Sequence, residues 1–162
     1  MSKETGTGQI NLRFKRDPII RPFVEGRVRD VDSIAEASGV VREALGRYIV
    51  LMSRELGRLN FSRGEVMAML DAVNGWFVTP ESAPYVHVEI EDALEDGLAG
   101  KWSISGPELV TKLKALTDGQ RFALVDALER TWKTLPQHGG NMDEAAAAAG
   151  LLRDAGEAGR GL

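Results

Sequence analysis

The chain has no cysteine and only two histidines in 162 residues, and its aromatic content is three Trp, two Tyr and five Phe. Without cysteine there are no disulfides and no thiolate metal site, and neither compartment nor redox role can be read from that absence. Long apolar runs are missing too. None approaches the roughly 20 residues that cross a bilayer, and no apolar signal segment follows Lys3. A cytoplasmic chain with no membrane contact is the expectation. Hydrophobic residues make up 43% and charged residues 27%, a balance with room for one domain and a smaller second one.

The scarcity of histidine narrows the chemistry. His87 lies close in sequence to Glu89, Glu91 and Asp92, but a lone histidine in an acidic surface segment is more often solvated than a metal ligand. His138 sits in a glycine-flanked tail. No Ser/His/Asp or Cys/His constellation is present. Gly100-Lys101 has the end of a phosphate-binding loop, yet Glu95 stands where its leading glycine belongs and Trp102 follows the lysine, so the motif fails. No catalytic residue, metal site or cofactor is expected, and the chain is not read as an enzyme.

What the sequence does contain is an uneven distribution of charge. The net charge is −4, which argues against a nonspecific nucleic-acid binder. Before Val31, however, seven basic residues (Lys3, Arg13, Lys15, Arg16, Arg21, Arg27, Arg29) face four acidic ones, a net of +3. The acidic excess belongs to the rest of the chain, where it would confine contact with DNA to one end.

Within that basic segment Gln9-Ile10-Asn11-Leu12-Arg13-Phe14 alternates. As a strand it puts Ile10, Leu12 and Phe14 on one face and Gln9, Asn11 and Arg13 on the other. Asn and Gln pair with adenine and Arg pairs bidentately with guanine, so the polar face suits a DNA major groove. Ser38 to Leu45 continues as a helix with Val41, Ala44, Leu45, Tyr48 and Met52 on one stripe.

A short strand followed by two helices resembles the ribbon-helix-helix family of the Arc and methionine repressors, over the first third of the chain. The resemblance implies an intertwined homodimer whose paired strands enter the major groove. It implies a dimer core of Ile10, Leu12, Phe14, Val41, Leu45 and Tyr48, base contacts from Gln9, Asn11 and Arg13, and phosphate contacts from Lys15, Arg16 and the backbone near Ser38 and Gly39. Two features depart from the family spacing. Pro22 places the start of the first helix near itself rather than near Asp17, and Ser33-Ile34-Ala35-Glu36 has the form of a capping box, whereas the family cap falls nearer Glu36.

A second resemblance uses the same residues. Ile34 to Val40, followed by Leu45 and Tyr48, is similar to the helix-turn-helix of tetracycline-repressor-type regulators, spanning residues 33–49. It implies a turn at Gly39, with Arg42, Glu43, Gly46 and Arg47 presented to the groove.

Beyond these helices the chain reads as a series of capped helices. Ser62-x-x-Glu65 opens one through Val66, Met69, Leu70 and Val73, which Asn74-Gly75 stops. Trp76 to Pro84 is a loop with a large apolar load. Tyr85 to Leu98 reads as a helix, though Tyr85 to Ile90 alternates well enough for a strand. Ser105-Gly106-Pro107-Glu108 opens a helix through Leu109, Val110, Leu113 and Leu116. Thr117-Asp118-Gly119-Gln120 opens another with Phe122, Val125, Leu128 and Trp132 on one side, closed by Pro136.

The expected architecture is mainly α: residues 1–58 a ribbon-helix-helix DNA-binding and dimerisation domain, 59–136 a small helical domain, and 137–162 an Ala/Gly-rich tail with no assigned task. The expected function is a sequence-specific, DNA-binding transcriptional regulator, a repressor. It would act as a homodimer or higher oligomer on double-stranded DNA, with a possible protein partner at the C-terminal domain. Two other classes stay open: an antitoxin that represses its own operon, and an interaction or assembly module with no nucleic-acid role.

Overall fold

In the computed structural model, which describes residues 17–30, 32–74 and 86–153, short polar side chains open most of the helices. Asp17 accepts hydrogen bonds from the amides of Ile19 and Ile20 at 2.9 and 2.8 Å and introduces α1, Ile20–Glu25. Pro22 is the third residue of that helix, where an amide has no partner inside the helix in any case. The helix therefore starts ahead of the proline and not at it. Ser33 Oγ accepts the Glu36 amide at 3.3 Å and introduces α2, Ile34–Leu56. The Glu36 carboxylate reaches back to the amides of Arg29 and Asp30.

The remaining helices follow the same pattern. α3, Arg63–Val73, has a complete capping box between Ser62 and Glu65 and ends at Asn74 in the left-handed conformation. α4, Val86–Ala93, runs into a wide turn at Leu94–Leu98 where Gly97 takes φ 113°, a backbone state that glycine adopts without steric cost. A single turn at Ala99–Lys101 follows. α5, Gly106–Lys114, is capped by Ser105. α6, Asp118–Thr134, has a complete box between Thr117 and Gln120 and passes into a 3-10 turn at Leu135–His138. α7, Met142–Ala148, is capped by Asn141.

The chain divides into two compact units, residues 1–48 and 49–162, with the division inside α2. Among the described residues of the first unit the buried side chains are Val24 and Ala37. The second unit holds a core of Leu59, Val66, Met69, Leu70, Ile90, Leu109, Leu113, Leu124 and Leu128, joined by Ala146, Ala149 and Leu151. Residues 137–153 thus contribute to the core. Arg63 pairs with Asp143, and the small alanines of α7 allow close packing that a scan for large apolar residues passes over.

Three contacts tie the second unit together. Glu65, buried at the start of α3, accepts two bonds from Lys112 Nζ of α5 at 2.7 and 2.9 Å. Trp132 Nε1 donates to the Leu70 carbonyl at 3.1 Å, and Trp102 Nε1 donates to Asp71 at 2.9 Å. The buried residues of α6 are Ala123, Leu124, Val125, Ala127, Leu128 and Thr131. Of the four expected on one side, Val125 and Leu128 are buried and Trp132 packs against the core, while Phe122 is exposed, and small residues widen the inward face.

Both resemblances are overturned. Among the described residues the structure is helical with no β-strand, whereas a ribbon-helix-helix fold needs a strand ribbon. The first helix has six residues, and the second is capped at Ser33, where the family spacing places its cap nearer Glu36. The helix-turn-helix fails at its turn: Gly39 lies inside the unbroken 23-residue α2 and is not among the glycines with positive φ.

Candidate functional site

The residues expected to read DNA separate into two groups. Gln9, Asn11 and Arg13, the apolar Ile10, Leu12 and Phe14, and Lys15 and Arg16 lie outside the described residues, as does the Trp76-Phe77-Val78 segment. Ser38 and Gly39 are the fifth and sixth residues of α2. Only the first four amides of a helix are free of the internal ladder, so neither backbone position offers a phosphate clamp. Among those first amides, Glu36 and Ala37 already bond to Ser33.

The described arginines of the first unit are partly committed. Arg21 pairs with Glu25 at 2.6 Å. Arg27 stacks 3.8 Å from the Phe23 ring centroid and donates to the Phe23 carbonyl. Arg47 pairs with Glu43. From residue 17 to 48 five arginines stand against six carboxylates, so the basic excess of the N-terminal segment sits before Asp17.

Among the described residues, clefts of the second unit have charged linings that are partly paired within the fold. One of about 290 Å³ is lined by Leu56, Phe61, Arg63, Gly150, Leu152 and Arg153. Its Arg63 pairs with Asp143, and Arg153 donates to the carbonyls of Gly57 and Leu59. Another of about 410 Å³ has Leu94, Ala99, Pro107 and Val110 below Glu91 and Glu95, and Glu91 pairs with Lys114 at 3.0 Å. No group of three His, Asp or Glu is placed to hold a metal ion among the described residues, the His87 segment included.

The feature that stands out is the outer face of α2. One side of this helix turns inward through Ala37, Met52 and Glu55, which are buried, and Val40, Val41 and Ala44, which are half-buried. Around residues 45–51 the helix leaves Leu45, Tyr48, Ile49, Val50 and Leu51 at 54, 48, 62, 68 and 48% exposure, and Ile34 in its first turn, on the helical line of Met52, stands at 75%. Ala35, Gly39, Arg42, Gly46, Ile49 and Ser53 follow one another along the helix at spacings of 4, 3, 4, 3 and 4. A repeat of that period keeps one line along a helix. The Glu43–Arg47 ion pair borders it.

Of the residues expected in a dimer core, Val41 is half-buried, while Leu45 and Tyr48 are 54 and 48% exposed. The small-residue row beside them escaped the sequence reading. Its signal was the 4-3-4-3-4 spacing, obscured because glycine and arginine carry no weight in a hydrophobic pattern. In comparison with known proteins, the chain matches no family model, no curated protein and no solved structure.

Proposed function

We propose that the protein is a helical interaction and assembly module whose working surface is the exposed apolar stretch of α2. The observation that carries this reading is the exposure of Leu45, Tyr48, Ile49, Val50 and Leu51, with Ile34 in the first turn, on one regular helix. Burying a large apolar side chain is worth about 1.5–3 kcal/mol, so a chain that leaves six exposed on one element forgoes a large fraction of a typical stability. Apolar patches of this kind mark protein contacts. The test is a photoreactive side chain at position 49, with position 47 on the charged border as control, cross-linked in cells that make the protein. A discrete adduct from position 49 and none from 47 is expected; equal labelling at both, or none at either, overturns the reading.

A second reading, a DNA-binding regulator, draws on the net +3 charge of the segment before Val31. It does not use a ribbon. Its measurement is the salt dependence of duplex binding: neutralising Lys15 and Arg16 should lower the salt slope by roughly two if both contact phosphates. Binding that is absent at low salt rejects it.

A further inference from the structure

We infer that the cleft between the wide turn after α4 and the first turn of α5 is a binding site for a small organic amine, its ammonium on Glu95 and its apolar body on the floor below. The site lies wholly within the second unit, shares no residue with α2 and does not rest on the reading of that helix.

Shape is the first argument. Leu94, Ala99, Pro107 and Val110 line about 410 Å³, a volume within the range of small-molecule pockets, about 300–1,000 Å³. Two features of the chain keep that space open. The backbone widens at Leu94–Leu98, where Gly97 takes φ 113°, and widened helical turns recur at functional sites. Gly106, buried at the start of α5, also lines the cleft. A Cβ built on it would stand 3.5 Å from the Ala99 Cβ and 3.7 Å from the Leu94 Cβ, both ordinary contact distances. Alanine would therefore fit, and it is the better helix former. Glycine leaves the space between two lining side chains unfilled.

Charge selects the ligand. Residues 86–98 hold five acids, Glu89, Glu91, Asp92, Glu95 and Asp96, and no lysine or arginine. The lysines that follow are committed elsewhere: Lys101 to Asp71, Lys112 to Glu65 and Lys114 to Glu91. Glu95 stands exposed at the rim of the cleft, and no described residue pairs with it. Such a field repels anions, whereas a cation with an apolar body meets both the rim and the floor. A bare metal ion would meet the rim alone. No group of three His, Asp or Glu is placed to hold one among the described residues, and the floor offers hydrocarbon in place of oxygen ligands. The walls are one turn of chain on either side, which gives room for one compact body and not for a run of peptide.

The experiment titrates the full isotope-labelled chain with phenethylamine and follows the amide shifts. They should centre on Leu94, Glu95, Ala99, Gly106 and Val110 and saturate in the millimolar range, as suits so small a ligand. Phenethyl alcohol, of the same shape without the charge, should bind about tenfold more weakly, and phenylacetate should not bind. Glu95→Gln should lower the affinity for the amine about tenfold, the scale of a hydrogen bond to a charged group. Gly106→Ala should lower it by at least as much, both variants keeping the helical circular dichroism and melting temperature of wild type. Glu89→Gln, which removes a charge from the same stretch, should leave the affinity unchanged. Absence of saturable shifts at the cleft, equal affinity for the alcohol, or an affinity unmoved by both Glu95→Gln and Gly106→Ala overturns the inference. Shifts centred on residues 45–51 overturn it as well, by placing the amine on the apolar stretch of α2. Tighter binding of the capped dipeptide phenylalanyl-lysine than of the free amine gives the cleft to a protein segment and overturns the small ligand.

Discussion

At the scale of single residues, Asp71 joins two side chains thirty residues away. It accepts bonds from Lys101 Nζ and, at 2.9 Å, from Trp102 Nε1, and the lysine, then the indole, hold its pKa below the usual carboxylate range. A carboxylate whose folded pKa is depressed contributes stability above its unfolded value, about 3.9, and loses that contribution as the pH falls through the folded value. Asp143 beside Arg63 is shifted in the same direction. The stability of wild type against denaturant should therefore fall as the pH is lowered below about 4, and Asp71→Asn should flatten part of that fall. An unchanged acid limb in the variant would reject the assignment. Space is just as local at Gly64, where an added Cβ would sit 2.9 Å from Ile104 Cγ2 and 3.1 Å from the Trp102 carbonyl oxygen. Gly64→Ala should destabilise by about 1–3 kcal/mol in urea titration, as overpacking does, although alanine is the better helix former.

At the scale of elements, the capping side chains decide where helices begin. Ser62 and Thr117 each satisfy an amide of their helix and receive the reciprocal bond from Glu65 and Gln120. Ser62→Ala and Thr117→Ala should each cost about 1 kcal/mol, read as a shift of the urea midpoint at constant slope. These two helices were legible in the sequence because a capping box is a contact between residues three apart and needs no tertiary context. α2 was legible in part: the Ser33 cap and the stripe from Val41 to Met52 were read as helix, while the second resemblance put a turn at Gly39. A single glycine costs about 1 kcal/mol in a helix interior, and the long run of helix-compatible residues on both sides outweighs it. The inward side of α6 was read in part: Val125 and Leu128 are buried as expected, but Ala123, Ala127 and Thr131 were passed over because small residues carry no weight in a pattern of large apolar ones, and Phe122 is exposed.

At the scale of the whole molecule, the two units differ in how much they bury. The second has a continuous core built from α3 to α7, while in the first only Val24 and Ala37 are buried among the described residues. That contrast explains why the candidate site was half legible. Leu45 and Tyr48 were named as dimer core from the sequence, but their exposure on an isolated chain, and the glycines beside them, required the fold. It also sets the last prediction. Local opening follows the number of buried apolar contacts, so amides of α1 and of α2 before Tyr48 should exchange faster than those of α3 and α6. Native-state hydrogen exchange followed residue by residue measures it. The amides of α3 and α6 should be the slowest, because they are held by the core around Leu70, Ile90, Leu109 and Leu124. Equal protection in all helices would mean that the chain opens only as a whole and would reject the ranking.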